Sequence, residues 1–395
     1  AEPPTAELAP VGTNGVDVLS CPAHIDSGVV FGPLMHCAAK TTTAIHGYEY
    51  WTGAEPPWRN GVDKTPVVDP AVIASEEQHR AEAEADDHLT AGTLAHAEIL
   101  RGCGVRVDFL LALTFALNMW EWMTWEVVQY LVKPVTEGEG RCRFAHLPYI
   151  RPYTGAATIF MSHCWGARWG DLVAAACAGS DMRRVVWIDV FAVRQWPGNG
   201  ADLDFRGVLA GCTAAIVAAA PIEGKLTEKD QGWGESYKQY KKKQFLSSDE
   251  YAVAAKVLPF CRLWCVVEIA AVLELRKALV FSSGRVQGAS VGATQVDVAR
   301  GAGSVNMLVN CSHLVNVEGA DAAVEADKVR ELAKIGPANF GRINQAVASA
   351  LYAGSIAVRS DVTEIDAASC GERWSVGEVE GGRVGSLVLA ACVAG

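Results

Sequence analysis

TIFMSHC (158–164), VVWIDVFAV (185–193), TAAIVAAA (213–220) and ALVFSSG (278–284) are four short, almost unbroken apolar runs. Each is too short for a buried helix, and two are rich in β-branched and aromatic residues. Between them stand RWGDLVAAACAG (168–179), LDFRGVLAGC (203–212) and CRLWCVVEIAAVLELRK (261–277), which have helical spacing. Strands that are apolar on both faces and alternate with helices predict a parallel sheet covered on both sides. Right-handed crossovers make that an α/β, doubly wound, flavodoxin-like layout. The segment 222–257 interrupts the alternation. It is polar and locally basic at Lys241, Lys242 and Lys243, and reads as a solvated surface excursion or as a lid or partner loop.

Outside this centre the patterning weakens. Residues 1–105 read as an irregular leader, with a helix over 75–100 capped by Ser75. Residues 106–154 form a helical lead-in, its apolar helix at 109–132 stopped by Pro134. The α/β domain spans 155–285. Residues 286–395 read as a helical extension, with helices at 321–336 and 338–354; Ile343, Val347 and Leu351 recur on one face of the second.

Half of the 395 residues are hydrophobic and a fifth are charged, so a sizeable core is expected. Lys plus Arg total 34 against 45 for Asp plus Glu, a net charge of −11 that argues against nucleic acid as partner. The most apolar stretch, 109–125, is interrupted by Asn118 and Glu121, so no membrane span is expected. The 12 cysteines are scattered, several of them inside apolar runs, which suits a reducing, cytoplasmic compartment. An organellar location after removal of a targeting peptide stays open, because the chain begins without Met.

Standard catalytic signatures are missing: there is no P-loop, HExxH or GxSxG, and GAGSVN (301–306) lacks the third glycine of a dinucleotide fingerprint. Cys261, Cys265, Cys311, His313, His163 and Cys164 contain no CxxC, so neither metal nor cofactor is expected. The residues that stand out lie at strand ends: Ser162 and His163 after the first strand, Asp189 and Arg194 after the second, and Glu268 one turn beyond Trp264 in the following helix.

FMSHCWG (160–166), WIDVFAVRQ (187–195) and RLWCVVEI (262–269), in that order, resemble the fungal heterokaryon-incompatibility (HET) domain, itself related to Toll/interleukin-1 receptor (TIR) domains. The softer flanking likeness is to uncharacterised algal and oomycete TIR/HET-like proteins. The resemblance covers 158–284 and implies an intracellular signalling or response module. Many TIR domains cleave NAD at the nicotinamide–ribose bond with a helix glutamate. Carried over here, that role falls to Glu268 only, with NAD as substrate, not cofactor; Ser162, His163 and Asp189, from their places at the strand ends, and Trp264, from the helix face it shares with Glu268, are the candidate substrate-binding residues. Other relatives are adaptors without chemistry, which implies a protein-interaction scaffold that self-associates or binds other proteins; a structural subunit with a degenerate fold is the third reading.

Each residue has a plainer role too. Glu268 would pair with Arg262, Arg168 or Arg194. His163 would lock the strand end, Ser162 would cap the following turn, Asp189 and Gln195 would tie down loops, and Trp264 would be core. An open crevice holding Glu268, Ser162 and Asp189 favours the enzyme; a filled one favours the scaffold.

Overall fold

A computed structural model describes residues 16–25, 93–178, 181–219, 257–282, 284–299, 314–322, 325–359, 364–365, 374–375 and 386–389. The four apolar runs form β4 (Ile159–Ser162), β5 (Val185–Trp187), β6 (Ala214–Ala218) and β7 (Ala278–Ser282). They are parallel neighbours in the order β5-β4-β6-β7, with Ile159 opposite both Val186 and Ala214, and Ala214 opposite Ala278. Antiparallel strands extend both edges. β2 (Gly104–Arg106) and β3 (Thr154–Gly155) continue beyond β5, and β12 (Ser386–Leu389) lies against β7, giving a mixed seven-stranded sheet.

The sheet is buried on both faces, and the period-two alternation of strand side chains sorts its residues between two cores. Ile159, Met161, Val186, Ile216 and Val280 pack on one face. There they meet α2 (Val107–Ala116) and α5 (Trp169–Cys177). Phe160, Trp187, Val217 and Phe281 face the other core. It is closed by α1 (Leu94–Arg101), α7 (Phe205–Gly211), α8 (Leu263–Glu274) and α10 (Pro337–Arg359), whose Ile343, Val347 and Leu351 are buried as their spacing predicts. Helix α9 (Glu325–Ile335) precedes α10. The structure thus places helices at both positions expected in 286–395. It also places strands there: β12, and β8 (Arg285–Gln287) and β9 (Gln295–Ala299), which make a small antiparallel sheet with β1 (Val16–Ser20) of the leader. The purely helical reading of 286–395 is corrected by these strands, of which β9 and β12 pair with residues remote in sequence. A further two-residue pair joins β10 (Glu364–Ile365) to β11 (Trp374–Ser375).

Three boundary expectations are corrected. The helix read over 109–132 is broken. α2 ends at Ala116, Asn118 takes a left-handed φ of 48°, and the chain resumes as α3 (Thr124–Val127), a π-helical turn (Val128–Val132) and α4 (Lys133–Glu137). The break lets the carbonyls of Trp122 and Trp120 accept from the Trp169 and Gly170 amides, satisfying donors that the start of α5 leaves without helical partners. Pro134 does not stop the helix. It sits inside α4, where the widened turn accommodates a residue that has no N–H and a ring that crowds the preceding turn. The second strand is shorter than read. After Trp187 the chain turns into α6 (Asp189–Ala192), with the Asp189 carboxylate accepting from the Val190 amide at 2.7 Å. At the N-terminal side, Thr93 caps α1 by accepting from the His96 amide; residues 75–92, with the Ser75 cap, lie outside the described residues, as does most of 222–257. Among the described residues no helix is long and apolar enough to cross a membrane.

Gly170 marks the tightest approach at the α2–α5 junction. A Cβ there would stand 2.5 Å from the Trp120 carbonyl oxygen, a backbone atom that cannot swing away. Gly170→Ala is therefore expected to cost about 1–3 kcal/mol, read as a lower Tm. An unchanged Tm would mean that the junction yields without cost.

Candidate functional site

Ser162 is the last residue of β4, and alternation turns its side chain to the face that carries α8. Glu268 lies in the second turn of α8, on the side that meets the strand ends. The two make contact: Ser162 Oγ donates to Glu268 Oε2 at 2.5 Å. Both are buried, Ser162 at 2% and Glu268 at 8% exposure.

The three arginines that would have made Glu268 structural are engaged elsewhere. Arg262 pairs with Asp321, Arg168 with Glu121 and Arg194 with Asp202. Among the described residues no cation pairs with Glu268, and the ion-pair expectation is corrected. Burial pushes the Glu268 carboxyl well above its usual range. The nearby Cys265 thiol and Asp189 carboxylate push it further, while the Ser162 hydrogen bond pulls the other way. The surroundings therefore favour the protonated form of this carboxyl.

That shift has a sign for stability. The folded state holds the proton more tightly than the unfolded chain, so this contribution is fully present below the unfolded value of 4.5 and is lost as pH rises towards the folded value. Melting curves over pH 4–8 should show Glu268→Gln losing less stability with rising pH than the parent. Parallel curves would mean that Glu268 titrates normally.

Asp189 begins α6 just past the end of β5. Its Oδ2 accepts from Trp165 Nε1 at 2.8 Å, and Gln195 Nε2 donates to its backbone carbonyl and to those of Val190 and Val193. Gln195 thus ties the loop, and Asp189 is fixed near enough for its charge to act on Glu268. His163 is buried at 8% exposure, and its carbonyl accepts from Cys265 Sγ at 3.3 Å, stitching the strand-end turn to α8. Trp264 is half-buried and meets Phe205 edge-on at 5.2 Å, at the end of an aromatic row running through Trp187 to Phe160. Ser162, Asp189 and Glu268, far apart in sequence, converge at the C-terminal rim of the parallel strands, while Trp264 belongs to the packing of α7 on α8.

Comparison with family models, with curated proteins and with solved structures gives no match. The site therefore stands on its geometry. It offers one buried carboxyl held by a hydroxyl and a second carboxyl fixed nearby. Among the described residues no group of three or more His, Cys, Asp or Glu is placed to hold a metal; Cys311 and His313 lie outside them.

Sequence reasoning missed Asp202. It is fully buried and accepts from Arg143 Nε at 3.1 Å and Nη2 at 2.5 Å, and from the Arg194 amide at 2.9 Å and Nε at 3.1 Å. This clamp holds the segment after β5 against the lead-in. No local pattern in PGNGADLD announces it, because its partners come from 59 and 8 residues away.

Proposed function

We propose that residues 155–285 form a TIR/HET-like module of flavodoxin-like layout, and that Glu268 serves in hydrolysis of the nicotinamide–ribose bond of NAD. The observation that carries this reading is that Glu268 is a buried carboxyl at the strand rim with no cation beside it among the described residues, the nearby arginines being paired elsewhere. Burial of an unpaired carboxyl works against folding, so a role in chemistry explains it better than a role in stability. In the reaction the C1′–N bond breaks and its electron pair leaves with nicotinamide. An ionised Glu268 stabilises the oxocarbenium-like ribosyl centre, and water adds at C1′ and gives up a proton. The cationic nicotinamide ring favours ionisation of Glu268 when it binds. Ser162 holds one carboxyl oxygen, Asp189 and Trp264 are the remaining candidates for substrate contact, and His163 holds the strand end beside them. The module acts inside the cell as a signalling or response component.

The second reading is a non-catalytic scaffold that self-associates through the same domain. Its support is that Ser162 and Glu268 satisfy one another and are closed from solvent. Incubation of the purified chain with NAD, followed by chromatography for nicotinamide, separates the two: release supports hydrolysis. Absence of release together with concentration-dependent self-association supports the scaffold.

A further inference from the structure

A small cavity lies beside the strand-end turn, on its α5 side, where polar side chains of Thr124, His163, Arg168 and Asp171 share the wall with apolar groups such as Leu172 and Ala218. Its size suits about one water molecule. His163 supplies the most demanding group on that wall. One ring nitrogen is bonded to the Met161 backbone carbonyl, which can only accept, so that nitrogen carries a proton. The other, Nε2, is buried and has no hydrogen-bond partner among the described residues; by elimination the Met161 contact is made by Nδ1.

The group closest in charge to Nε2 is the Asp189 carboxylate, whose Oδ1 stands 3.5 Å away, too far for a good hydrogen bond. In a neutral ring Nε2 is an acceptor, so two acceptors face one another. A proton on Nε2 would resolve the conflict by making an imidazolium. Burial opposes that, holding the ring's affinity for a second proton below its ordinary value despite the Asp189 charge. Asp189 does not need that proton either. Its Oδ1 already accepts from the Val190 amide and its Oδ2 from the Trp165 indole. What Nε2 lacks is a donor, and the described protein groups around it supply none.

We propose that the cavity binds one water molecule, which donates a hydrogen bond to His163 Nε2 and is held by the polar side chains of Thr124, Arg168 and Asp171. The water fixes His163 as the neutral Nδ1–H tautomer. The Nδ1–H bond to Met161 then pins the end of β4, so that His163 is a positioning residue for Ser162. This assignment is independent of the NAD reading, since it requires no substrate and no turnover.

The test is nuclear magnetic resonance of the parent protein labelled at the histidine nitrogens, at neutral pH. The expected result is a proton on Nδ1, an unprotonated Nε2 displaced by accepting a hydrogen bond, and cross-relaxation from the His163 ring to a long-lived water. A proton on Nε2, or a ring with no water contact, overturns the proposal. Ala218→Val, which narrows the cavity, should abolish the water signal; a signal that survives in the folded variant places the water elsewhere and also overturns it. Should that variant fail to fold, the parent measurement decides alone.

Discussion

Glu268→Gln is expected to reduce NAD hydrolysis about a hundredfold while leaving Tm at neutral pH unchanged or raised. The loss follows from the charge. Gln keeps the size of the side chain and an oxygen that can accept from Ser162, but not the negative charge that would face an oxocarbenium-like centre. A contact of that kind is worth about 3 kcal/mol, on the order of a hundredfold in rate. The retained stability follows from the surroundings. Glu268 has no cation partner among the described residues, and burial already opposes its ionisation. Replacing it by a neutral group therefore strands no opposite charge, the event that makes the breaking of a buried ion pair so costly. Turnover and melting must be measured on one preparation. Lost turnover with retained melting supports the assignment. Lowered melting with normal specific activity overturns it.

Asp202→Ala should have the largest effect on stability, about 3–5 kcal/mol and on the order of 10 °C in Tm. The carboxylate is fully buried, and its loss leaves Arg143 and Arg194, whose side chains are 11% and 23% exposed, without their shared anion. Burial alone would push the Asp202 carboxyl up. The Arg143 hydrogen bonds and the charges of Arg143 and Arg194 outweigh that and hold it below its usual range. The sign is opposite to that of Glu268. This contribution is present above the unfolded value of 3.8 and is lost as pH falls through the folded value. Thermal melting at pH 7 and at pH 3 should therefore show a large gap between parent and variant at pH 7 and a narrower one at pH 3. An equal gap at both would mean that the clamp is not electrostatic.

The centre of the fold was legible because its signal is local. Unbroken apolar runs such as 158–164 and 213–220 have no solvated face, and only a strand covered on both sides accommodates them. The edges were not legible. β2 is three residues long and pairs with β3 and β5 across 50 and 80 residues, and β12 meets β7 across more than 100, so nothing in their own sequences marks a partner. The break after Ala116 was hidden by apolar residues on both sides of Asn118. What decides it is the demand of the α5 amides for the carbonyls of Trp120 and Trp122. At the site, strand ends and helix phase place Ser162 against Glu268 and leave Asp189 near enough for its charge to act there, but Ser162 and Glu268 are buried rather than facing an open crevice. The Ser162–Glu268 hydrogen bond, the hold of Trp165 on Asp189 and the diversion of all three arginines are tertiary choices that residue spacing does not encode.

The most direct measurement is the release of nicotinamide from NAD by the purified parent chain, followed by chromatography beside the Glu268→Gln protein at equal concentration and equal folded fraction. The account predicts nicotinamide and ADP-ribose in equal amounts from the parent and about a hundredfold less from the variant. Parent and variant releasing nicotinamide at the same rate, or the folded parent releasing none, would contradict it.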